Sequence, residues 1–305
     1  MQVSIILPTY NRCKTLNKTI ENVLKQTFDN FELIIINDAS IDDTVDIVKK
    51  YQVNDSRIKL INNVNNQGCA KSRKIGCENA KYNYLVFIDD DDQWNKNKLQ
   101  KQIKVMNDRK VDVVISDYLI NENGKTKYKS MKKFYVNFKC QILKKPGPFF
   151  QCILIKKKFF NLIENAFDDK SIPSEDWDFF IELSKKNPTF GYVDEPLFTW
   201  NLHKESQSSD ISKEANALNY IVSKHFDYIS DVHGTKIVSN HYRRIARLFE
   251  KLDDFNNVNK FYFKAYNMCP TYFKNIFYYI CVLIGYKYTR KIIQSIRFFR
   301  GVPNE

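Results

Sequence analysis

Over the first 120 residues, short apolar runs rich in β-branched side chains alternate with stretches whose apolar residues recur at helical spacing. Residues 3–7, 33–36, 58–61, 84–88 and 111–116 read as strands. Between them, Leu16, Ile20, Val23 and Leu24 mark one apolar helical face, and Val45 and Val48 belong to a second helix. Residues 70–80 form a third helical stretch, and Leu99, Ile103 and Met106 mark a fourth. Ser40 with Asp43 has the spacing of a capping box for the second helix. Strands alternating with helices imply a mostly parallel sheet with helices on both faces, an α/β fold. Ligands of such sheets bind beyond the carboxyl ends of the strands. The segments to search are therefore 8–12, 37–40, 65–73 and 89–94.

The fourth strand runs into Phe87-Ile88-Asp89-Asp90-Asp91-Asp92. Side chains alternate along an extended chain, so Asp89 and Asp91 point the same way if the strand geometry persists. Carboxylates about 6 Å apart repel by roughly 3 kcal/mol at an effective dielectric near 20. Such a run invites a counter-cation. Magnesium or manganese suits hard oxygen ligands and leaves positions open for phosphate oxygens. A solvated acidic turn is the plainer alternative. Among the other strand ends, Pro8-Thr9-Tyr10-Asn11-Arg12 offers an aromatic ring for a base and polar groups for a ribose. Asp38 can accept from a uracil-type N–H, and Arg73, after Gly68, can reach phosphate. Singly, each also reads as a turn or surface residue. Together they stand at one sheet edge.

SIILPTYNR, QTFDNFELIIINDASIDDT, NNQGCAKSR and YLVFIDDDDQW, in this order and spacing, resemble the family 2 glycosyltransferases with a GT-A fold. The likeness is close over residues 1–120 and looser to about 210. It implies a Rossmann-like sheet flanked by helices in a catalytic domain of residues 1–210. Residues 1–120 would bind the nucleotide-sugar and residues 121–210 the acceptor. It also implies that Asp89 and Asp91 form the DxD pair that binds metal, ribose and diphosphate, with Asp90 between them on the donor. Pro8, Thr9, Tyr10, Arg12, Asp38 and Arg73 match donor-contacting positions. Family habit favours a UDP-sugar.

Glu175-Asp176-Trp177 precedes Phe179, Phe180 and Leu183, which mark a helix start. The helix dipole favours acidic residues there, so a cap alone explains them. The segment also resembles the family's "ED" motif. That implies Asp176 as general base, taking the proton of an acceptor hydroxyl whose oxygen attacks the anomeric carbon with inversion. It places Glu175 and Trp177 at the acceptor, and a bound Mn2+ or Mg2+ at the departing diphosphate. Trp200-Asn201-Leu202-His203, followed by Ser206, Ser208 and Ser209, resembles a Tyr-Arg-x-His segment with Trp for Tyr and Asn for Arg. His203 is a candidate at the metal or diphosphate, beside a histidine's common structural role. Without the arginine, the segment lacks its usual phosphate donor.

The net charge of +13 points to an anionic partner without naming it. The excess does not surround the acidic run, because residues 123–163 and 255–304 contain no Asp or Glu. From Ile211 the pattern is helical, giving a C-terminal α-helical region of residues 211–305. Within it, Ala246, Phe249, Val258, Tyr262, Ala265 and Pro270 sit at the offsets of one tetratricopeptide-type hairpin, for which an ordinary helical hairpin suffices. Residues 276–286 are apolar but too short to span a bilayer. Lys287, Arg290, Lys291, Arg297 and Arg300 follow, interleaved with Ile292, Ile293, Ile296, Phe298 and Phe299. This basic tail fits peripheral membrane contact on anionic lipid, or a packed helix with a solvated basic face.

Seven scattered cysteines without a CxxC argue against a disulfide framework or zinc site and for a reducing compartment. The N-terminus leads straight into a strand and does not read as a signal peptide. The expected location is cytoplasmic, on the inner face of the cell membrane if the tail meets lipid. The leading expectation is a metal-dependent, inverting hexosyl- or N-acetylhexosaminyl-transferase. It would act on a glycan or lipid-linked acceptor in surface polysaccharide synthesis. The same fold acting on a polyol-phosphate or protein acceptor is the near alternative. A non-catalytic nucleic-acid or lipid binder and a pseudo-enzyme are the distant ones. Unneutralised carboxylates at the sheet edge repel phosphate, so no nucleic-acid partner is expected.

Overall fold

The computed structural model describes residues 1–202 and 210–290. The chain divides into two compact units, one of residues 1–142, 146–169 and 175–206, the other of residues 143–145, 170–174 and 207–305.

The first unit is built on a sheet. Its described strands are β1 (Val3–Thr9), β2 (Phe31–Asn37), β3 (Ile58–Asn62), β4 (Tyr84–Phe87), β5 (Gln93–Trp94), β6 (Val113–Glu122), β7 (Lys125–Lys129), β8 (Ile153–Lys156) and β9 (Phe190–Asn201). They lie in the order β3-β2-β1-β4-β8-β6-β9-β5, with β7 paired to β6. Strands β3, β2, β1 and β4 are parallel. Strand β8 runs antiparallel to both β4 and β6, and β9 is parallel to β6. Every residue of β1 and β2 is buried, as expected of central parallel strands covered on both faces.

The connecting helices are α1 (Leu16–Leu24), α2 (Thr44–Asn54), α3 (Cys69–Asn79) and α4 (Lys98–Arg109). Helix α1 buries Leu16, Ile20 and Val23, and α4 buries Leu99, Ile103 and Met106. Helix α3 lies so close to the sheet that a Cβ on Gly76 would stand 2.6 Å from Ile6 and 2.7 Å from Ile36. Only glycine fits there without displacing core side chains.

Two local features differ from expectation. The Ser40–Asp43 capping box does not form. Ser40 Oγ instead accepts the Asn11 N–H at 2.9 Å, while Asp42 accepts the N–H groups of Thr44 at 3.1 Å and Cys13 at 3.0 Å. Bonding between two neighbouring loops outcompetes the local cap. Strand β5 went unforeseen because two residues carry no periodicity. It pairs Gln93 with Thr199 and Trp94 with Phe198.

The less regular middle contributes α5 (Lys132–Val136), α6 (Phe138–Lys144), α7 (Lys157–Asn161) and α8 (Glu175–Lys185). An aromatic cluster holds α8 to the sheet. The Phe150 ring stands 5.0 Å from Phe87, 5.1 Å from Phe179 and 5.6 Å from Phe180. Such contacts explain part of the high phenylalanine content.

The second unit is helical, with α9 (Ile211–Lys224), α10 (Phe226–His233), α11 (Thr235–Lys251), α12 (Phe255–Met268) and α13 (Phe273–Ile284). Asp210 and Asp254 cap α9 and α12 by accepting from the third residue on. Helices α11 and α12 form a hairpin in which Ala246, Phe249, Val258, Tyr262 and Ala265 are buried and Phe249 stacks on Phe261. Buried Asn275 ties α13 to this hairpin, donating to Ser239 at 2.8 Å, to the Ala265 carbonyl at 3.0 Å and to the Cys269 carbonyl at 2.7 Å. Among the described residues, no helix is long and apolar enough to cross a membrane.

Candidate active site

The register of the sheet builds the site. Thr9, Asn37 and Asn62 are partners at the carboxyl ends of β1, β2 and β3. Phe87 pairs with Ile6, so the acidic run stands level with the end of β1. The loops at this edge bind one another through short polar side chains. Asn11, at a positive φ of 52°, accepts the Ile41 N–H at 2.9 Å, and Arg12 donates its N–H to Thr44 at 2.9 Å. Asp38 accepts from Asn63 at 2.7 Å, from the Gln67 N–H at 2.9 Å and from the Gly68 N–H at 2.8 Å. It thus orders the loop before α3, with two of these bonds on Oδ1 and one on Oδ2. Pro8 and Thr9 are buried, whereas Tyr10 is 43% exposed.

The strand ends at Phe87 and a turn forms at Asp90 and Asp91, so the extended geometry does not run through the acidic residues. Their exposure alternates nevertheless. Asp89 and Asp91 are partly open while Asp90 and Asp92 are buried. Asp90 accepts from Arg12 Nε at 3.2 Å, and Asp91 lies 3.7 Å from the same guanidinium. Burial pushes the Asp90 carboxyl up to about 7; Arg12 opposes the rise, and Asp91 and Asp89 add to it. Burial also raises Asp92 well above the usual carboxylate range, with Asp89 and Asp91 adding. Asp92 accepts the Asn201 N–H at 3.2 Å through one oxygen, while its other oxygen is buried without a hydrogen-bond partner.

Arg73 joins this run to the start of α8. Its guanidinium donates to Asp89 at 2.7 Å and to Glu175 at 2.8 Å, across sequence separations of 16 and 102 residues. The arginine expected at a phosphate is therefore committed to two carboxylates. Glu175, expected at the acceptor, is committed to Arg73. Next to it, half-buried Asp176 accepts the Trp177 N–H at 2.7 Å. Withdrawal from water pushes its carboxyl up to about 7 and the charge of Glu175 adds; the Trp177 N–H and Arg73 oppose the rise. Trp177 differs from its expected place at the acceptor. It is 1% exposed, and its indole N–H donates to the Ile142 carbonyl at 2.7 Å, which makes it a core residue that fixes the helix start.

Among the described residues, no group of three or more His, Cys, Asp and Glu side chains could hold a metal ion. His203, with Ser206, Ser208 and Ser209, lies outside the described residues.

Comparison with known proteins fixes the family. The model of Glycosyl transferase family 2 matches residues 4–167, more than half of the chain. The chain belongs to glycosyl transferase family 2. A Methanocaldococcus jannaschii protein, named as the uncharacterized glycosyltransferase MJ1057, is 31% identical over 73% of this chain and 79% of its own length. WfgD of Escherichia coli, named as a UDP-Glc:alpha-D-GlcNAc-diphosphoundecaprenol beta-1,3-glucosyltransferase, is 33% identical over 61% of this chain and 70% of its length. Matches to two other curated relatives span about half of those relatives, 49% and 47%. Among solved structures, S. aureus TarS in complex with UDP-GlcNAc superposes with a TM-score of 0.66 at 20% identity, covering 86% of this chain and 81% of that one. The fold is of the GT-A type.

The contacts of three residues of this family 2 glycosyltransferase escaped sequence reading. Gln151 donates from its side chain to Asp89, opposite Arg73. Lys98, fully buried, donates to the Gln151 carbonyl at 2.9 Å and to Gln102 at 3.0 Å, and burial pushes its ammonium down to about 7. Asn201 donates to the Asp91 carbonyl at 2.7 Å and accepts from Asn121 at 2.9 Å, bracing the acidic turn from the end of β9. A signal existed for Gln151. It is the lone amide in the apolar stretch Phe149-Phe150-Gln151-Cys152-Ile153, and a buried amide requires partners.

Proposed function

We propose that this glycosyltransferase moves a sugar from a UDP-sugar to a hydroxyl of a lipid-linked or glycan acceptor, with inversion at the anomeric carbon. The observation that carries the proposal is the Arg73 bridge. It ties Asp89, at the start of the acidic run, to Glu175 at the helix start bearing Asp176. UDP and a lipid-linked acceptor gain support from the names of WfgD and of the TarS complex.

In this reading Asp176 acts as the general base. The acceptor hydroxyl gives its proton to a carboxylate oxygen of Asp176 while its oxygen forms the new bond to the anomeric carbon. The bond from that carbon to the diphosphate breaks, and the electron pair leaves with the nucleoside diphosphate. A carboxyl raised to about 7 suits a base at neutral pH, because a substantial fraction is ionised and proton affinity is not wasted. Tyr10, exposed at the end of β1, offers its ring to the base, and Asp38 and its loop border the nucleotide.

A divalent cation fits the chemistry of the acidic run, which supplies hard oxygens and a buried carboxylate oxygen without a partner. The run does not form a ready cage of three ligands. That pattern suits a magnesium- or manganese-type site of one or two carboxylates completed by substrate phosphates, with Asp91 and Asp89 as the protein's share. When bound, the ion would neutralise charge on the departing diphosphate.

The test is Asp176→Asn. Donor binding, read as UDP-sugar-dependent thermal stabilisation, should stay intact while kcat falls roughly a hundred- to ten-thousandfold. A change confined to KM would overturn the base assignment. The product's anomeric configuration by NMR should be opposite to the donor's.

A further inference from the structure

Helix α13 has two unlike sides. Inward, Asn275, Tyr278 and Cys281 are buried against the helical unit. Outward, Phe273, Ile276, Phe277, Ile280, Leu283 and Ile284 are all exposed, with Phe273 at 61%, Leu283 at 67% and Ile284 at 64%. At about 100° per residue these six fall within an arc of about 120°, one continuous apolar stripe. Phe263 of α12, also exposed, extends it through ring contact with Tyr279 at 5.9 Å. A stripe of this size on one helix far exceeds the singly scattered apolar residues of an ordinary surface.

The charge around the stripe selects its partner. Among the described residues, 255–290 contain no Asp or Glu; exposed Lys274 lies in the first turn of the helix, and exposed Lys287 follows it beyond Gly285. A second copy of this chain seated on the stripe by a twofold axis would face cations with the same cations. Lys291, Arg297 and Arg300 of the basic tail lie outside the described residues. A soluble polyanion would leave the aliphatic side chains in water. An anionic bilayer leaflet satisfies both demands, with hydrocarbon for the stripe and headgroups for the lysines, whose stems can reach along the apolar surface. The 12-residue helix is about 18 Å long, too short to cross a bilayer but long enough to lie in its interface.

We infer that the outward face of α13 is a docking surface for an anionic lipid membrane. This goes beyond the transfer reading and does not depend on it, because lipid binding is measured without donor or acceptor.

The experiment is flotation of the full-length protein with vesicles of phosphatidylglycerol and phosphatidylcholine, and with phosphatidylcholine alone. Wild type should float with the anionic vesicles and much less with the neutral ones. The triple substitution Ile280→Ser, Leu283→Ser and Ile284→Ser keeps every charge. It should weaken anionic binding about tenfold or more, with an unchanged melting curve. Lys274→Gln with Lys287→Gln should instead narrow the preference for anionic vesicles. Equal binding of the triple variant would show that net charge alone acts and would overturn the inference. So would wild type that does not float, or that sediments as a dimer dissociated by the triple substitution while lipid binding is unaffected.

Discussion

The acidic run and the start of α8 each hold a carboxyl raised to about 7, and they reach it in different company. Asp90 is buried against Arg12 among three other aspartates. At α8 the neighbouring carboxylate, Glu175, takes the arginine, and Asp176 accepts a single backbone N–H within its own turn. The first arrangement concentrates negative charge that a cation can relieve. The second leaves one carboxyl whose proton affinity is raised by burial, with the charge of Glu175 adding. The proposed cation site and the proposed base thus lie on two elements, and Arg73 connects them through Asp89 and Glu175.

The largest expected effect comes from removing that connection. Arg73→Ala leaves Asp89 and Glu175 facing each other without their shared cation, and a broken buried pair costs roughly 3–5 kcal/mol. Urea unfolding should register that loss. Arg73→Lys should recover part of the stability but little turnover, because one ammonium cannot span both carboxylates in a fixed fork. If Arg73→Lys were fully active, the bridge would be mere packing.

Next is the pH dependence of kcat/KM, which reports groups of the free enzyme. A base must be ionised to accept a proton, so the rate should fall about tenfold per pH unit below about 7 and level off above it. Asp90 titrates in the same range, so the two regions must be separated by substitution. In Asp90→Asn the fall toward acid pH should persist at lower overall rate. In Asp176→Asn the residual rate should lose it. Persistence in Asp176→Asn would move the base elsewhere.

The same contrast explains what the sequence made legible. The parallel half declared itself because its signals are local. Strand runs recur, and each functional loop follows its strand within a few residues. The acidic run could be placed at the sheet edge for that reason. The bonds that finish the site are not local. Gln151 reaches Asp89 across 62 residues, and Asn201 reaches Asp92 across 109. No periodicity encodes such pairs, which depend on β8 and β9 entering the sheet out of chain order. Asn201 shows the point from the other side. Read as a missing arginine, it was an absence; in the fold its amide holds the turn that shapes Asp91. Ser40 was misread for the opposite reason, since a valid local signal lost to a loop 29 residues away.

The smallest expected effect lies inside the acidic run and concerns Asp92. Its unpartnered oxygen and raised carboxyl mean that ionisation costs the folded state more than the unfolded chain, whose carboxyl titrates near 4. The native protein therefore binds more protons between the two titrations, and stability contributed by protonated Asp92 is lost as pH rises through the folded value. Asp92→Asn keeps an acceptor for the Asn201 N–H and removes the charge. In chelator-treated buffer at pH 8 it should stabilise the protein by about 1 kcal/mol, a rise in Tm of a few degrees. Below the unfolded carboxyl's titration the gain should vanish, because wild-type Asp92 is then neutral in both states. Excess manganese should shrink the wild-type deficit at pH 8, since a nearby cation favours the ionised form. A gain independent of pH would mean that shape, rather than stored charge, sets the cost. The acidic run would then lose its claim to be the region built to hold a cation, while Asp176 would keep its separate role.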